Sequence, residues 1–238
     1  MTASALKAAL EDLLRSCRLQ EDGPPLRGED RRLSPLPTGV GAVDALLGGG
    51  LPRGQVSEVH GPRSSGRTGL VLSLVAGCTA RGSLVAWVDP ADRLAPASAA
   101  AAGIDLGRLF WMRGDGRGRR DRGLPAATSA VGTLVGSGLF EAVVLDVAAF
   151  PPADLGRLPG PTWIRLQRMI EDGPGAVVLL AEAHVAHGPR GASLALQARA
   201  PRWSGAPGPG RLLRGLGTEA QAGRHAGRRA AFELQAFV

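Results

Sequence analysis

The chain has 238 residues, 44 % hydrophobic and 21 % charged, enough to bury one sizeable core domain. No stretch reaches the roughly 18–20 apolar residues that cross a bilayer, and the N-terminus lacks the basic and apolar regions of a secretory signal, so a cytoplasmic protein without membrane contact is expected. A net charge of +7 and a pI near 11.1 favour nucleic acid or another polyanion as partner, through counterion release.

In chain order, Ser4 can cap a helix whose Leu6, Leu10, Leu13, Leu14 and Cys17 recur at three- and four-residue spacing. It ends before Asp22-Gly23-Pro24-Pro25, and residues 21–32 read as a polar linker. The chain thus divides into an N-terminal helix and linker, 1–33, and a core domain, 34–238. The apolar stripe of the helix can dock on a partner, on a neighbouring copy, or on its own domain. From Ser34 onward, strand-length apolar runs alternate with helix-like stretches: Val56–His60, Ser83–Val88, Leu109–Met112, Ala142–Leu145, Ala176–Ala181 and Ala231–Phe237. The early runs are continuous and β-branched, as in strands buried on both faces of a parallel sheet. That predicts a doubly wound α/β core with ligand at the carboxyl ends of the strands. The Gly-, Pro- and Arg-rich stretch from Trp203 to Gly217 is expected to be a mobile loop or loose hairpin. Cys17 and Cys78 fall on apolar helical faces and are expected to be reduced and buried.

Directly after the first run comes Gly61-Pro62-Arg63-Ser64-Ser65-Gly66-Arg67-Thr68. This is the frame of a phosphate-cradling loop, in which glycines let backbone N–H groups converge on phosphate oxygens and the next helix adds its positive end. The flanking strand and the apolar helix from Leu70 through Arg81 supply the context the motif needs. Thr68 is the expected magnesium contact, but Arg67 stands where lysine is usual. A guanidinium is broad and planar where an ammonium is a slim point charge, so Arg67 can fill the cradle rather than serve it. With 27 arginines and a single lysine, Lys7, a compositional bias explains the exchange equally well.

The positive charge is uneven. Arg113, Arg117, Arg119, Arg120 and Arg122 crowd a glycine-rich loop, and Arg190, Arg224, Arg228 and Arg229 belong to a C-terminal stretch where residues 190–238 carry eight arginines against Glu219 and Glu233. Without tyrosine, and with few other aromatics, backbone contact suits such arginines better than base stacking; a solvated surface is the alternative. His184 and His187 lie three apart, but no Cys or further His joins them at ligand spacing, so no metal site is assigned. No Ser-His-Asp or paired-carboxylate arrangement is present, and no catalytic residue is assigned.

The segment Thr38-Gly39 … Asp44 … Leu47-Gly48-Gly49-Gly50-Leu51-Pro52-Arg53-Gly54-Gln55-Val56-Ser57-Glu58-Val59-His60-Gly61-Pro62 resembles the opening of the ATPase core of the RecA recombinase family. Downstream, Trp87-Val88-Asp89, Ala102-Gly103-Ile104-Asp105-Leu106, a strand from Leu109 and an apolar strand closing on Asp146 follow in the family's order. The resemblance covers about residues 34–238, weakens after Leu180, and implies a RecA-like P-loop core with a mostly parallel sheet flanked by helices. Among short, arginine-rich relatives, the chain is similar to the ImuA type of bacterial damage-inducible mutagenesis cassettes.

Carried over position by position, the resemblance implies a Walker B role for Asp146, which would reach magnesium through water. The glutamate that polarises the attacking water falls on Ala91. The aspartate and tyrosine that embrace adenine fall on Ala95 and Ser98, and the glutamine that senses the γ-phosphate has no clear counterpart around Glu182, Ala183 and His184. ATP with magnesium is therefore expected to bind weakly if at all, with negligible turnover, since phosphoryl transfer is catalysed by geometry and electrostatics. The function implied is an accessory role in DNA damage response, SOS-linked translesion mutagenesis. Implied partners are DNA, a Y-family-like polymerase homologue of the error-prone polymerase cassette, and the RecA recombinase or a second copy through the N-terminal helix. Alternatives are an active ATP-dependent recombination protein and a SulA-like cell-division inhibitor.

Overall fold

A computed structural model describes residues 8, 12, 34–114, 120–171, 173–187, 190–223 and 228–235, without the side chains of 120–122. Apart from residues 8 and 12, the helix expected around Leu6–Cys17, with its linker, lies outside the described residues, as do Arg117, Arg119 and Arg224 and the side chains of Arg120 and Arg122. The described elements are α1 (Gly41–Leu47), β1 (Val56–His60), α2 (Arg67–Ala80), β2 (Leu84–Asp89), α3 (Pro96–Ala101), a 3-10 turn (Leu106–Arg108), β3 (Leu109–Arg113), α4 (Arg120–Gly136), β4 (Phe140–Asp146), α5 (Pro152–Leu155), α6 (Thr162–Ile170), β5 (Ala176–Ala181), β6 (Ser193–Ser204), β7 (Leu212–Ala222) and β8 (Arg229–Gln235). None of the described helices is long and apolar enough to cross a membrane.

The strands form one eight-stranded sheet in the order β3-β2-β4-β5-β1-β6-β7-β8. Pairing is parallel from β3 through β6 and antiparallel from β6 to β8. This is the expected mostly parallel α/β sheet flanked by helices. Every residue of β4 and β5 is buried, which is why these strands read as unbroken apolar runs. Successive side chains alternate between the two faces. Ala142, Val144, Val178 and Leu180 join Leu70, Leu74, Val75 and Cys78 of α2 in one core layer. Val143, Leu145, Val177 and Leu179 meet Val131 and Leu134 of α4, and Trp163, Leu166 and Ile170 of α6, in the other.

Charged and amide side chains fasten the amino ends of the strands. Arg53 Nη2 lies 2.7 Å from Glu141 Oε1, with the two side chains only 6 % and 3 % exposed. The same guanidinium donates to the Ser34 and Pro174 carbonyls, and Arg81 reaches the other Glu141 oxygen at 3.4 Å. Burial pushes the Glu141 carboxyl up, but the Arg53 hydrogen bond, aided by Arg81, outweighs it and holds the group below its ordinary value. On α6, Gln167 accepts from Val56 N–H and donates to the Gly54 carbonyl, at 2.9 and 3.1 Å. Both bonds fix the start of β1.

Two expectations are refined. The stretch from Ser193 to Ala222 forms the strands β6 and β7, so the hairpin alternative expected at Trp203–Gly217 is the one that forms, with its loop confined to residues 205–211. These strands escape a reading based on apolar runs because β6 is exposed along most of its length and carries Pro201 at a register shift, the place an antiparallel strand tolerates proline. The last strand begins at Arg229, two residues before the expected Ala231, and is described through Gln235; Ala236 and Phe237 lie outside the described residues. Cys78 is buried as expected, and burial, with Glu141 nearby, pushes its thiol up to about 12. Cys17 lies outside the described residues.

Candidate nucleotide site

At the carboxyl end of β1 the chain turns through the P-loop and enters α2. Ser64 and Gly66 adopt left-handed conformations, φ 61° and 90°, the kind of local geometry that turns successive N–H groups toward one point. Glycine is obligatory at both ends of the loop. A Cβ on Gly61 would stand 2.4 Å from the Leu196 carbonyl oxygen, and one on Gly66 would stand 2.7 Å from Thr218 Oγ1 and 2.8 Å from Leu234. The loop is therefore wedged between α2 and the antiparallel strands.

Arg67, the first residue of α2, turns its guanidinium back on the loop, and Nη1 donates to the carbonyl of Gly61, the first residue of the motif. Its Nε is buried without a partner among the described residues. Burial lowers the guanidinium from its ordinary value, opposed by the charges of Glu182 and Asp146. The broad side chain of Arg67 thus takes up hydrogen-bonding capacity within the loop.

A cavity of about 410 Å³ opens beside the loop, lined by Arg63, Arg67, Thr68, Trp87, Asp146 and Glu182, and by Ala95 and Ser98. The fold thus assembles around one space the P-loop, the Walker B position and both positions aligned with the adenine clamp. Ala91 packs instead against the core layer under α4 and α6. Asp146 is buried at the end of β4 and accepts from Ala148 N–H at 3.0 Å. Burial raises its carboxyl to about 6, with Asp89 adding to the rise while the Ala148 bond and the charges of Arg67 and Arg93 oppose it. Asp89, fully buried at the end of β2, accepts on Oδ2 from the N–H groups of Arg93 and Leu94, while Oδ1 has no partner among the described residues. Sequence reading gave Asp89 and Arg93 no role, because their proximity to Asp146 arises only when β2 and β4 pair. A second cavity, about 820 Å³, lies on the other side of the loop, between Ser64–Gly69 and the residues Arg199, Trp203, Leu213 and Leu234.

Of the arginines singled out for DNA, the described Arg113 and Arg229 stand at opposite edges of the sheet. Arg113 ends β3, one edge of the sheet, and Arg229 begins β8, the other edge. Seven strand spacings separate them, roughly 33 Å at the usual spacing. Arg113 is paired through Nε and Nη2 with both oxygens of Asp92, at 2.8 and 2.9 Å, and sits over the Trp111 ring. Arg229 reaches Glu219 at 3.2 Å. Arg190 and Arg228 are exposed. The structure adds four arginines that the sequence reading did not single out, on the β6–β7 hairpin: Arg199 and Arg202, paired with Glu219 and Glu233, Arg214, which donates to Ser204 Oγ, and Arg211, over the Trp203 ring.

A parallel sheet with a P-loop after its β1 strand and an acid at the end of β4 defines a P-loop nucleotide-binding fold. Residues 25–158 match the model of the RecA N-terminal domain. The chain is 36 % identical over 174 residues to protein RecA of Lactobacillus delbrueckii subsp. bulgaricus, covering 70 % of this chain and 50 % of that protein. It is 38 % identical over 169 residues to protein RecA of Streptomyces ambofaciens, covering 68 % and 43 %, and 37 % identical over 135 residues to protein RecA of Symbiobacterium thermophilum, covering 56 % and 37 %. The chain belongs to the RecA N-terminal domain family, and it spans half or less of the length of these curated relatives.

Proposed function

We propose that this chain is a RecA-like accessory protein of bacterial DNA damage tolerance, of the ImuA type, which binds DNA and a protein partner without turning over ATP. The observation that carries the reading is the guanidinium of Arg67 bonded to Gly61 inside its own P-loop, combined with Ala91 at the place aligned with the water-polarising glutamate. A nucleotide fits the cavity in part. The Gly61–Thr68 backbone would hold phosphates, and Thr68 and Asp146 would face magnesium, which when bound supplies charge compensation at the phosphates. Of the supports that hydrolysis requires, the chain lacks the carboxylate that positions water and the lysine that compensates phosphate charge.

The proposed partners are DNA phosphates at Arg190, Arg228 and Arg229 and along the Arg113–Arg122 segment, and a Y-family-like polymerase homologue of the error-prone cassette. The recombinase, or a second copy of the chain, would engage the segment 1–33. The setting is the cytoplasm during the SOS response. One observation favours the active alternative: Glu182 lines the same cavity as Thr68 and Asp146 and is an acid that could orient water. Magnesium-dependent ATP turnover, measured on the full chain with and without single-stranded DNA, separates the two. The accessory reading expects a rate indistinguishable from that of Asp146→Ala. Turnover at a recombinase-like rate that is lost in both Asp146→Ala and Glu182→Gln would overturn it.

A further inference from the structure

Three of the chain's four histidines meet at one place. Glu58 and His60 are two apart on β1 and therefore share a face of the sheet. Pairing of β1 with β5 sets His60 beside Ala181, and the chain leaving β5 brings His184 over them. One ligand atom from each of Glu58, His60 and His184 lies within 4.8 Å of the other two. The His60 and His184 ring centroids are 5.6 Å apart, and the His187 ring meets that of His184 edge-on at 4.7 Å. Spacing along the chain hides this cluster, because His60 and His184 are joined only by the strand pairing.

We propose that Glu58, His60 and His184, with His187 as an outer fourth donor, bind a divalent transition-metal cation of the zinc type. Two or three imidazoles and a carboxylate form the nitrogen-rich donor set such borderline cations take, at about 2.0–2.2 Å per bond. Donor atoms around such an ion stand roughly 3.5 Å apart, so the observed spread closes by small side-chain movements. Glu58 is the rigid member. Its side chain is 2 % exposed, Oε1 accepts from the N–H groups of Val185 and Ala186 at 2.8 and 3.4 Å, and Oε2 faces His184 Nδ1. His184 is 43 % exposed, which leaves an open side for the ion to enter and for water to complete its shell. A fixed carboxylate needs one imidazole to form a hydrogen-bonded pair. A second and a third ring at the same spot exceed what that pair requires. Bound metal would fasten the 184–187 segment to the strand whose last residue, His60, directly precedes the P-loop.

The test is titration of the tag-free, chelator-treated full chain with Co²⁺, followed by its visible d–d absorption and by calorimetry, and then displacement with Zn²⁺. One ion per chain is expected. His60→Gln and His184→Gln should each weaken binding by about tenfold or more, as loss of groups that hold a metal does, His187→Gln by less, and His225→Gln not at all. Circular dichroism on each variant separates lost binding from lost fold, and the two histidine variants keep the test independent of Glu58, whose replacement also removes the loop's anchor. No saturable cobalt spectrum in the wild type, or binding indifferent to both His60→Gln and His184→Gln, would leave Glu58 and His184 as a hydrogen-bonded pair only and overturn the proposal.

Discussion

The two ends of the parallel sheet differ in how far their buried polar groups are satisfied. At the amino end, Glu141, Arg53 and Gln167 are buried and bonded to one another or to backbone, and of the described residues there only Gln55 Oε1 and Ser83 Oγ are buried without a partner. At the carboxyl end, most of the buried polar side-chain atoms that lack a partner among the described residues collect around the P-loop: Ser65 Oγ, Arg67 Nε, Trp87 Nε1, Asp89 Oδ1 and Thr218 Oγ1. Unpaired buried polar groups cost about 1–3 kcal/mol each. A fold keeps such a concentration at one end where that end faces a ligand or has descended from one that did, while the other end supplies the stability.

The largest effect should come from the satisfied end. Glu141→Ala leaves Arg53 buried and uncompensated, which typically costs about 3–5 kcal/mol, and urea unfolding should show it as a lower midpoint with unchanged slope. Arg53→Met should cost a similar amount. The double variant should cost less than the sum of the two, because each single change strands the other charge. A loss under about 1 kcal/mol in both single variants would show that the pair is not the clasp its burial implies.

Next in size is a gain at the other end. Asp146 has a folded pKa of about 6, above its unfolded value, so the native state holds its proton more tightly and stability falls as pH rises through that window. Asp146→Asn should stabilise the protein at pH 7.5 by roughly 1–3 kcal/mol, and by less at pH 5, where the native carboxyl is already largely protonated. Glu141 has the opposite sign. Its depressed pKa contributes stability above its unfolded pKa that is lost as pH falls toward the folded value. Thermal melts from pH 4 to 8 should show the two ends titrating in opposite directions, and an Asp146→Asn profile parallel to wild type would break the comparison.

The sequence made this contrast half legible. The runs that became β2, β4 and β5 are largely apolar on both faces, the P-loop and Asp146 stood out because each is local or ends such a run, and Ala95 and Ser98 came only from the resemblance to the RecA family. Three things were not legible. The strands β6 and β7 are one-sided and partly exposed, so their signal is alternation interrupted by Pro201 rather than an apolar block. The Asp89–Asp146 and His60–His184 neighbourhoods exist only through strand order. The arginines looked alike in the chain, yet Arg53 became a buried structural ion, Arg113 a surface pair with Asp92, and Arg67 a hydrogen-bond donor inside its own loop.

The smallest expected change in stability tests the carboxyl end most directly. Arg67→Lys removes the bond to the Gly61 carbonyl and restores the slim cation that a P-loop ordinarily carries. Because the arginine's lost hydrogen bond is offset by relief of its partnerless Nε, the change in unfolding free energy should stay within about 1 kcal/mol. Fluorescent ATP-analogue binding should tighten by about threefold or more, since a charge newly aimed at the phosphates is worth roughly 0.7 kcal/mol or better even when partly solvated. Turnover should not appear, because Ala91 still supplies no group to orient water. Tighter binding without hydrolysis would support the accessory reading, with Arg67 weakening nucleotide affinity and the β2 end withholding turnover. Unchanged binding would mean that Arg67 does not limit nucleotide affinity and would shift attention to the Ala95 and Ser98 side of the cavity, where the base would rest.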